Sequence, residues 1–305
     1  LDTPTPIGGN VIGLYDALGN NPMLGGMLRS TGLYANGMTP AYGNTLKVAS
    51  IGKDYNARND GQFGFAFRYI AEELNSTEFG LYLVNYHAKE PTIAADLAGY
   101  KGIDMAALTS MLSSVAGSQA AALANGLATV DVMGNIQAHR RYAEDIRMYG
   151  FSFNTTLGKA SVFGELAYRP NLPIGVAAPN ALIGDLANGA GAAAGGQFIN
   201  VGGQMVNLDS QIDNSERVEA FNTSLGSIYN FGPGLSFDSL FGVFELASEH
   251  LRGSGLKYQA YDGSTRYYAG SGNTSYVSGG DRDDQVSRDS YSYTVMFNGT
   301  WNDVY

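Results

Sequence analysis

Apolar and polar positions alternate with a period of two along several segments of the chain, the periodicity of strands whose two faces meet different surroundings. In residues 61–71, GQFGFAFRYIA, Phe63, Phe65, Phe67 and Tyr69 fall on one face, and Gln62, Gly64, Ala66 and Arg68 on the other. The exposed face of a soluble sandwich strand usually carries Lys, Glu and Thr rather than Gly and Ala. A strand crossing a bilayer within a barrel sets an apolar face toward lipid and a small or polar face inward, over about ten residues. The same division predicts a strand at 145–157, with Tyr149, Phe151 and Phe153 opposite Met148, Gly150, Ser152 and Asn154. It predicts another at 159–169, with Val162, Leu166 and Tyr168 opposite Ser161, Phe163, Glu165 and Arg169. Strands at 217–231 and 288–300 follow the same rule, led by Phe221, Leu225, Tyr229 and Phe231, and by Tyr291, Tyr293, Val295 and Phe297. Residues 77–88 and 235–247 read as strands too, but carry apolar residues at both parities, so the pattern assigns them no faces.

The connections between these strands alternate strictly in length. Residues 72–76, 158 and 232–234 are short turns; 89–144, 170–216 and 248–287 are long. Structureless loops beyond about 12–15 residues are uncommon in compact domains, whereas outer-membrane barrels place short turns at one rim and long loops at the other. The expected fold is therefore all-β: part of an antiparallel transmembrane β-barrel with long extracellular loops and one loop helix. About seven or eight strands are visible. Single-chain bacterial barrels usually have an even count, and an open edge in hydrocarbon is costly, so the chain reads as an internal segment of a larger barrel. Residues 1–60 read as a loop or plug-like segment with short strand-like stretches near 10–14 and 45–51, and 61–305 as the barrel hairpins.

Composition narrows the functional classes. Among 305 residues there are 41 Gly, 20 Tyr, 14 Phe and no Cys; only 15% are charged, and the net charge is −10. Absence of Cys excludes disulfide scaffolds, thiolate metal sites and cysteine nucleophiles. An acidic balance with no basic run argues against a nucleic-acid partner. No apolar stretch is long enough for a helix of about 20 residues to span a bilayer.

Three segments resemble a known family: DGQFGFAFRYIAEELNSTEFGLYLVNYHAKEP (60–91), YAEDIRMYGFSFNTTLG (142–158) and GELAYRPNLPI (164–174). They are similar to the signature hairpins of the domain-of-unknown-function 1302 family of Gram-negative bacteria. The resemblance implies an outer-membrane barrel about twice this length. It also implies gene neighbours that encode a periplasmic lipoprotein-like partner and an inner-membrane exporter, and movement of hydrophobic molecules or lipids across the envelope. It implies no catalytic residues.

Candidate chemistry is sparse. Residues 104–127 read as a loop helix with Asp104 as N-cap and Gly126 as C-terminal stop. Met105, Leu108, Met111, Leu112 and Val115 form its apolar stripe, either a lid for a hydrophobic ligand or packing against the barrel. Phe163 and Phe241 are the candidate aromatic contacts for such a ligand. Strand parity places Arg68, Glu165, Arg169 and Glu245 in the lumen, as pairs across it or as lining of a path. Arg147 and Arg217 face lipid at the loop rim, where guanidinium groups suit lipopolysaccharide phosphates. Asp281, Asp283, Asp284 and Asp289 lack calcium-loop spacing. His87, His139 and His250 lack metal-ligand spacing and read as solvated or rim residues. Residues 189–196, GAGAAAGG, read as a flexible loop rather than a dinucleotide fingerprint, and no G-x-S-x-G occurs. The expectation is a non-enzymatic transport barrel of the bacterial outer membrane, without metal or cofactor. A diffusive porin and an adhesive surface protein are the alternatives.

Overall fold

The computed structural model describes residues 9–39, 41–42, 45–46, 49–97, 99–177, 179–269 and 286–302. Its largest element is a seven-stranded antiparallel sheet. The strands are β1 (Phe63–Ala71), β2 (Thr77–Tyr86), β3 (Ile146–Leu157), β4 (Ala160–Gly175), β5 (Ser215–Gly234), β6 (Phe237–Arg252) and β7 (Asp289–Thr300). Each pairs with its neighbours in chain order. Six antiparallel steps leave β1 and β7 running in the same direction. Among the described residues these two strands are the sheet's open edges.

Three tight turns lie at one end. Asn75 and Ser76 take left-handed conformations between β1 and β2, and Gly158 does so between β3 and β4. The β5–β6 turn differs from expectation. Gly232, Pro233 and Gly234 remain within β5 at two register shifts, and the chain reverses instead at Leu235 and Ser236, with φ of 52° and 70°. Proline removes a ladder donor and favours a bulge, so this segment reads as a turn while acting as an irregular strand end. At the opposite end β4, β5 and β6 extend beyond their predicted limits. Pro170 and Pro173 mask that extension of β4, where Pro170 and Asn171 oppose the single residue Glu219 of β5 at a register shift between Val218 and Ala220.

The long connections are folded, which makes the chain mixed rather than all-β. With the N-terminal segment they form a cap over the loop end of the sheet. It contains α1 (Gly9–Asn20), α2 (Pro22–Arg29), α3 (Met105–Ala116), α4 (Ala120–Asn135) and α5 (Pro179–Ala194). A four-stranded sheet of Ser50–Ile51, Thr92–Asp96, Gln137–Arg141 and Ile212–Asp213 joins them. Asp104 caps α3 by accepting from the Ala107 N–H at 2.9 Å. The predicted single helix is two, because Gly117 takes φ +53° and ends α3. Gly126 is not a stop. It lies inside α4, where a Cβ would meet Val11 of α1 at 3.0 Å, so its absence lets the two helices approach. The GAGAAAGG stretch is mostly the end of α5 rather than a loop. Alanine favours the helix, and Gly189 admits Ile199 at a distance a side chain would obstruct. Ile12, Leu28, Leu108, Leu127, Val130, Met133 and Leu186 lie in one buried core, which reaches down to Val218, Ala220 and Leu251 of the sheet.

Candidate functional site

Strand register sorts the sheet into rows of directly opposed residues, which share a face. One row runs Phe67–Leu81–Phe151–Leu166–Thr223–Ser248–Tyr291 across all seven strands. The next runs Tyr69–Phe79–Phe153–Gly164–Leu225–Leu246–Tyr293. Register therefore settles the faces of β2 and β6 that alternation left open: Phe79, Leu81, Leu83, Phe244 and Leu246 join the aromatic face. Much of this face is open among the described residues: Phe65 is 69% exposed and Tyr293 79%, while Phe79 and Leu83 are half-buried. Tyr149, Tyr168 and Phe221 stack in sequence across β3, β4 and β5 near the cap, with ring centroids 6.2 and 4.6 Å apart.

The opposite face is richer in small and polar residues, with Ile70, Phe163 and Phe241 among its larger apolar members. Its central row is Arg68–Gly80–Ser152–Glu165–Ser224–Ala247–Ser292. A neighbouring row is Ile70–Glu78–Asn154–Phe163–Gly226–Glu245–Thr294. Arg68, Glu165, Arg169 and Glu245 thus share this face. Arg68 pairs with Glu78 at 3.6 Å, both well exposed. Phe163 lies over Gly226, where a Cβ would be 2.4 Å from the ring, which brings the aromatic beside Glu245. Phe241 is four residues from Glu245 along β6, opposite Asn230 and Asn298 and away from Phe163.

Near the cap this face opens into a groove of about 770 Å³ lined by Tyr86, Glu165, Arg169, Leu172, Asn222 and Glu249, among others. Arg169 Nη1 donates to Asn222 Oδ1 at 2.7 Å, and Asn222 Nδ2 donates to Glu249 Oε2 at 2.6 Å. Neither Asn222 nor Glu249 is marked as a site residue by the sequence pattern. Asn222 had the right parity but no charge, and Glu249 lies past the predicted end of its strand.

The helical stripe divides. Leu108 and Leu112 are buried in the cap core and offer no surface to a ligand, and Met105 packs against that core. Met111 and Val115 face outward. The inner half of the stripe therefore packs on an apolar partner that the cap itself supplies. Arg147 and Arg217 sit at the cap end of the aromatic face, both beside Asn171. The Arg147 N–H donates to Asn171 Oδ1 at 2.9 Å, and Arg217 donates to the carbonyls of Asn171 and Glu144 at 3.3 and 2.7 Å. Both arginines are exposed.

The histidines are not solvated as expected. His87 and His139 are buried. His87 Nδ1 accepts from the Asp145 N–H at 3.1 Å, which leaves Nε2 to donate to the Asp60 carbonyl at 2.8 Å. His139 lies 3.2 Å from Asp96. His250 and Arg252 both engage Asp289, at 2.6 and 2.7 Å. Asp281, Asp283 and Asp284 lie outside the described residues.

The cap also holds two buried carboxylates, Asp131 and Asp185, that the alternation pattern does not mark. Asp131 accepts from the Tyr15 and Tyr100 hydroxyls at 2.5 and 2.6 Å and from the Tyr34 N–H at 3.4 Å. Burial pushes its carboxyl above the usual range, against the pull of those donors. Burial, and then the Asp131 charge, raise all three phenols. Asp185 is likewise raised by burial, while accepting from the Gly202 N–H at 2.8 Å and Arg266 at 3.2 Å. The available signal for Asp131 was a lone acid in the otherwise apolar run GLATVDVMG.

The profile of the DUF1302 family, proteins of unknown function, matches residues 8–305. The chain belongs to the DUF1302 family. No curated protein matches it. In this DUF1302 protein the three segments that carry the resemblance are the β1–β2 hairpin, β3 with its approach from the cap, and β4 from Gly164 to Ile174.

Proposed function

We propose that this DUF1302 chain forms the strand wall and external cap of a β-barrel in the bacterial outer membrane, passing a hydrophobic or amphiphilic molecule and catalysing no reaction. The observation that carries the reading is the aromatic face, an apolar surface running across seven strands with no described residue packed over it, set back to back with a face richer in small and polar residues. Contiguous apolar patches beyond a few hundred Å² are rare on monomeric soluble proteins, and lipid is the surrounding that suits this one. Three tight turns at one end and a folded cap at the other match the asymmetry of barrel rims. Because β1 and β7 run in the same direction, antiparallel closure takes an odd number of further strands, giving an even total. Arg147 and Arg217, beside the aromatic stack at the cap end, suit phosphate groups of lipopolysaccharide. A periplasmic lipoprotein-like partner and an inner-membrane exporter are the proposed route for a hydrophobic small molecule.

The test is expression of the full-length protein, followed by extraction of membranes with alkaline carbonate and analysis of co-purified lipid. Retention in outer membranes with bound apolar ligand is expected. Release into the soluble fraction would end the membrane reading. The hydroxyl-lined polar face favours a second reading, a diffusive porin. Free passage of hydrophilic sugars through reconstituted vesicles, with no apolar ligand bound, would select it.

A further inference from the structure

We infer that the polar-face groove is a binding site for a monocationic amphiphile, with Glu165 as the counter-charge. The inference deepens the transport reading and rests on it for its biological sense. The groove's volume, about 770 Å³, lies within the usual range for small-molecule sites.

Its charges are Glu165, Arg169 and Glu249. Arg169 and Glu249 are held at the two ends of the Asn222 amide, on three adjacent strands, so each offsets the other. Glu165 is different. It stands in the row between Ser152 and Ser224, and among the described residues it makes no hydrogen bond or ion pair. The next row adds Glu245, again without a partner among the described residues. The remaining arginine of this face, Arg68, is at the far end of the row and is paired with Glu78. The groove therefore carries unbalanced negative charge, on a face otherwise poor in charge. Low-dielectric walls around such a groove concentrate its field and raise the local concentration of cations.

The groove's chemistry also excludes other ligands. A divalent cation needs several converging oxygens, and Glu165 supplies one carboxylate flanked by serine hydroxyls. An anion would meet Glu165 and Glu249 with only one arginine to receive it. Tyr86, Leu172, Ala167 and Ala247 add an apolar shoulder beside the carboxylate. An ammonium head on an alkyl or aryl body satisfies both parts.

The test uses full-length protein purified in a neutral maltoside detergent. Three benzophenone-alkyl photoprobes of equal length are compared, bearing a trimethylammonium head, its uncharged tert-butyl isostere, or a carboxylate. Cross-linked peptides are mapped by mass spectrometry. The cationic probe is expected to label β4 and β6 around the groove about five-fold more than the others, the factor equivalent to a single exposed charge pair. Glu165→Gln should remove that preference, and Arg169→Gln should preserve or raise it. Equal labelling by the uncharged isostere, preference for the carboxylate, or labelling unchanged by Glu165→Gln would overturn the inference. The probe comparison on unaltered protein needs no variant to fold. Membrane retention without charge preference would sink this inference alone. Charge preference in a water-soluble protein would sink the transport reading and leave the site.

Discussion

The cap and the sheet treat apolar side chains in opposite ways. In the cap, Ile12, Leu108, Leu127, Val130 and Met133 are inaccessible, and even two of its carboxylates, Asp131 and Asp185, are covered. Within the seven strands the buried apolar residues are Ala71, Ile146, Val218, Ala220 and Leu251, all near strand ends. Between those ends Phe65, Phe67, Phe151, Leu225 and Tyr293 stand open. The cap excludes water with its own core and so behaves as a globular unit. Among the described residues no second layer packs on the sheet, and its apolar face stays open. One polypeptide therefore contains two solutions to hydrophobic burial, joined where Val218, Ala220 and Leu251 pass from the sheet into the cap core. The seam is also polar. Arg58 bonds both oxygens of Asp145 at 2.6 and 2.8 Å and reaches Glu144 at 3.2 Å. Hydrogen bonds from Asn85 and Arg58 hold the Asp145 carboxyl below its usual range.

The comparison is broken most directly from the cap side. Leu108→Ala leaves a cavity in a fully buried site and should cost about 2–5 kcal/mol. The loss should be confined to the cap: hydrogen exchange should accelerate in α3 and α4 while β1–β7 keep their protection. Equal loss of protection in the strands would mean that cap and sheet are a single cooperative unit. From the sheet side, Leu225→Arg places a guanidinium near the middle of the aromatic face. In lipid it should cost about 2–4 kcal/mol, read as a lower urea midpoint of the vesicle-inserted protein. On a water-facing surface the change is nearly neutral, and that result would remove the argument for lipid.

Legibility follows the same division. The sheet was readable because each strand writes its two surroundings into adjacent residues, as FGFAFRY does, and short turns separate long connections. Faces failed only in β2 and β6, where Leu81 and Tyr82, or Phe241 and Phe244, put apolar groups on both sides; register with β1 and β5 decides them. The cap was largely unreadable. Its helices are rich in Gly and Ala, and Gly126 and Gly189, which look like breaks, are points of close approach. Its stripe at Met105–Val115 was visible, but not that Leu108 and Leu112 face an internal core. On the polar face Glu165 and Arg169 were legible by parity. Their different fates depend on Asn222 and Glu249, which come alongside only through cross-strand register.

Titration sharpens the contrast at smaller cost. Tyr15, Tyr34 and Tyr100 hold their protons more tightly in the folded cap than an unfolded chain does. A raised folded pKa gives stability that is complete below the unfolded value, near 10, and is lost as pH climbs beyond it. Each phenol should weaken the cap by about 1.4 kcal/mol per pH unit in that range. A late, cooperative rise in tyrosinate absorbance should accompany loss of the helical signal, with the strand signal persisting. Gradual ionisation without loss of helix would show that the three phenols reach water in the folded state.

Asp131→Asn is the finest probe. Burial raises the Asp131 carboxyl in the folded cap, so its contribution is complete below about pH 4, the unfolded value, and declines as pH rises through the folded value. Asp54, Asp145 and Asp262 are shifted downward and act with the opposite sign, losing their contribution as pH falls, so the wild-type curve is a composite. Subtracting the variant's curve isolates Asp131. Asparagine can accept from Tyr15 and donate to the Tyr100 oxygen, keeping both phenols bonded. The neutral-pH cost should therefore stay within about 1 kcal/mol, and the descending limb above pH 4 should flatten. An unaltered limb would assign it to Asp185, the other carboxylate raised by burial. A large neutral-pH loss would mean that the negative charge itself, rather than the hydrogen-bond geometry, holds the three tyrosines together.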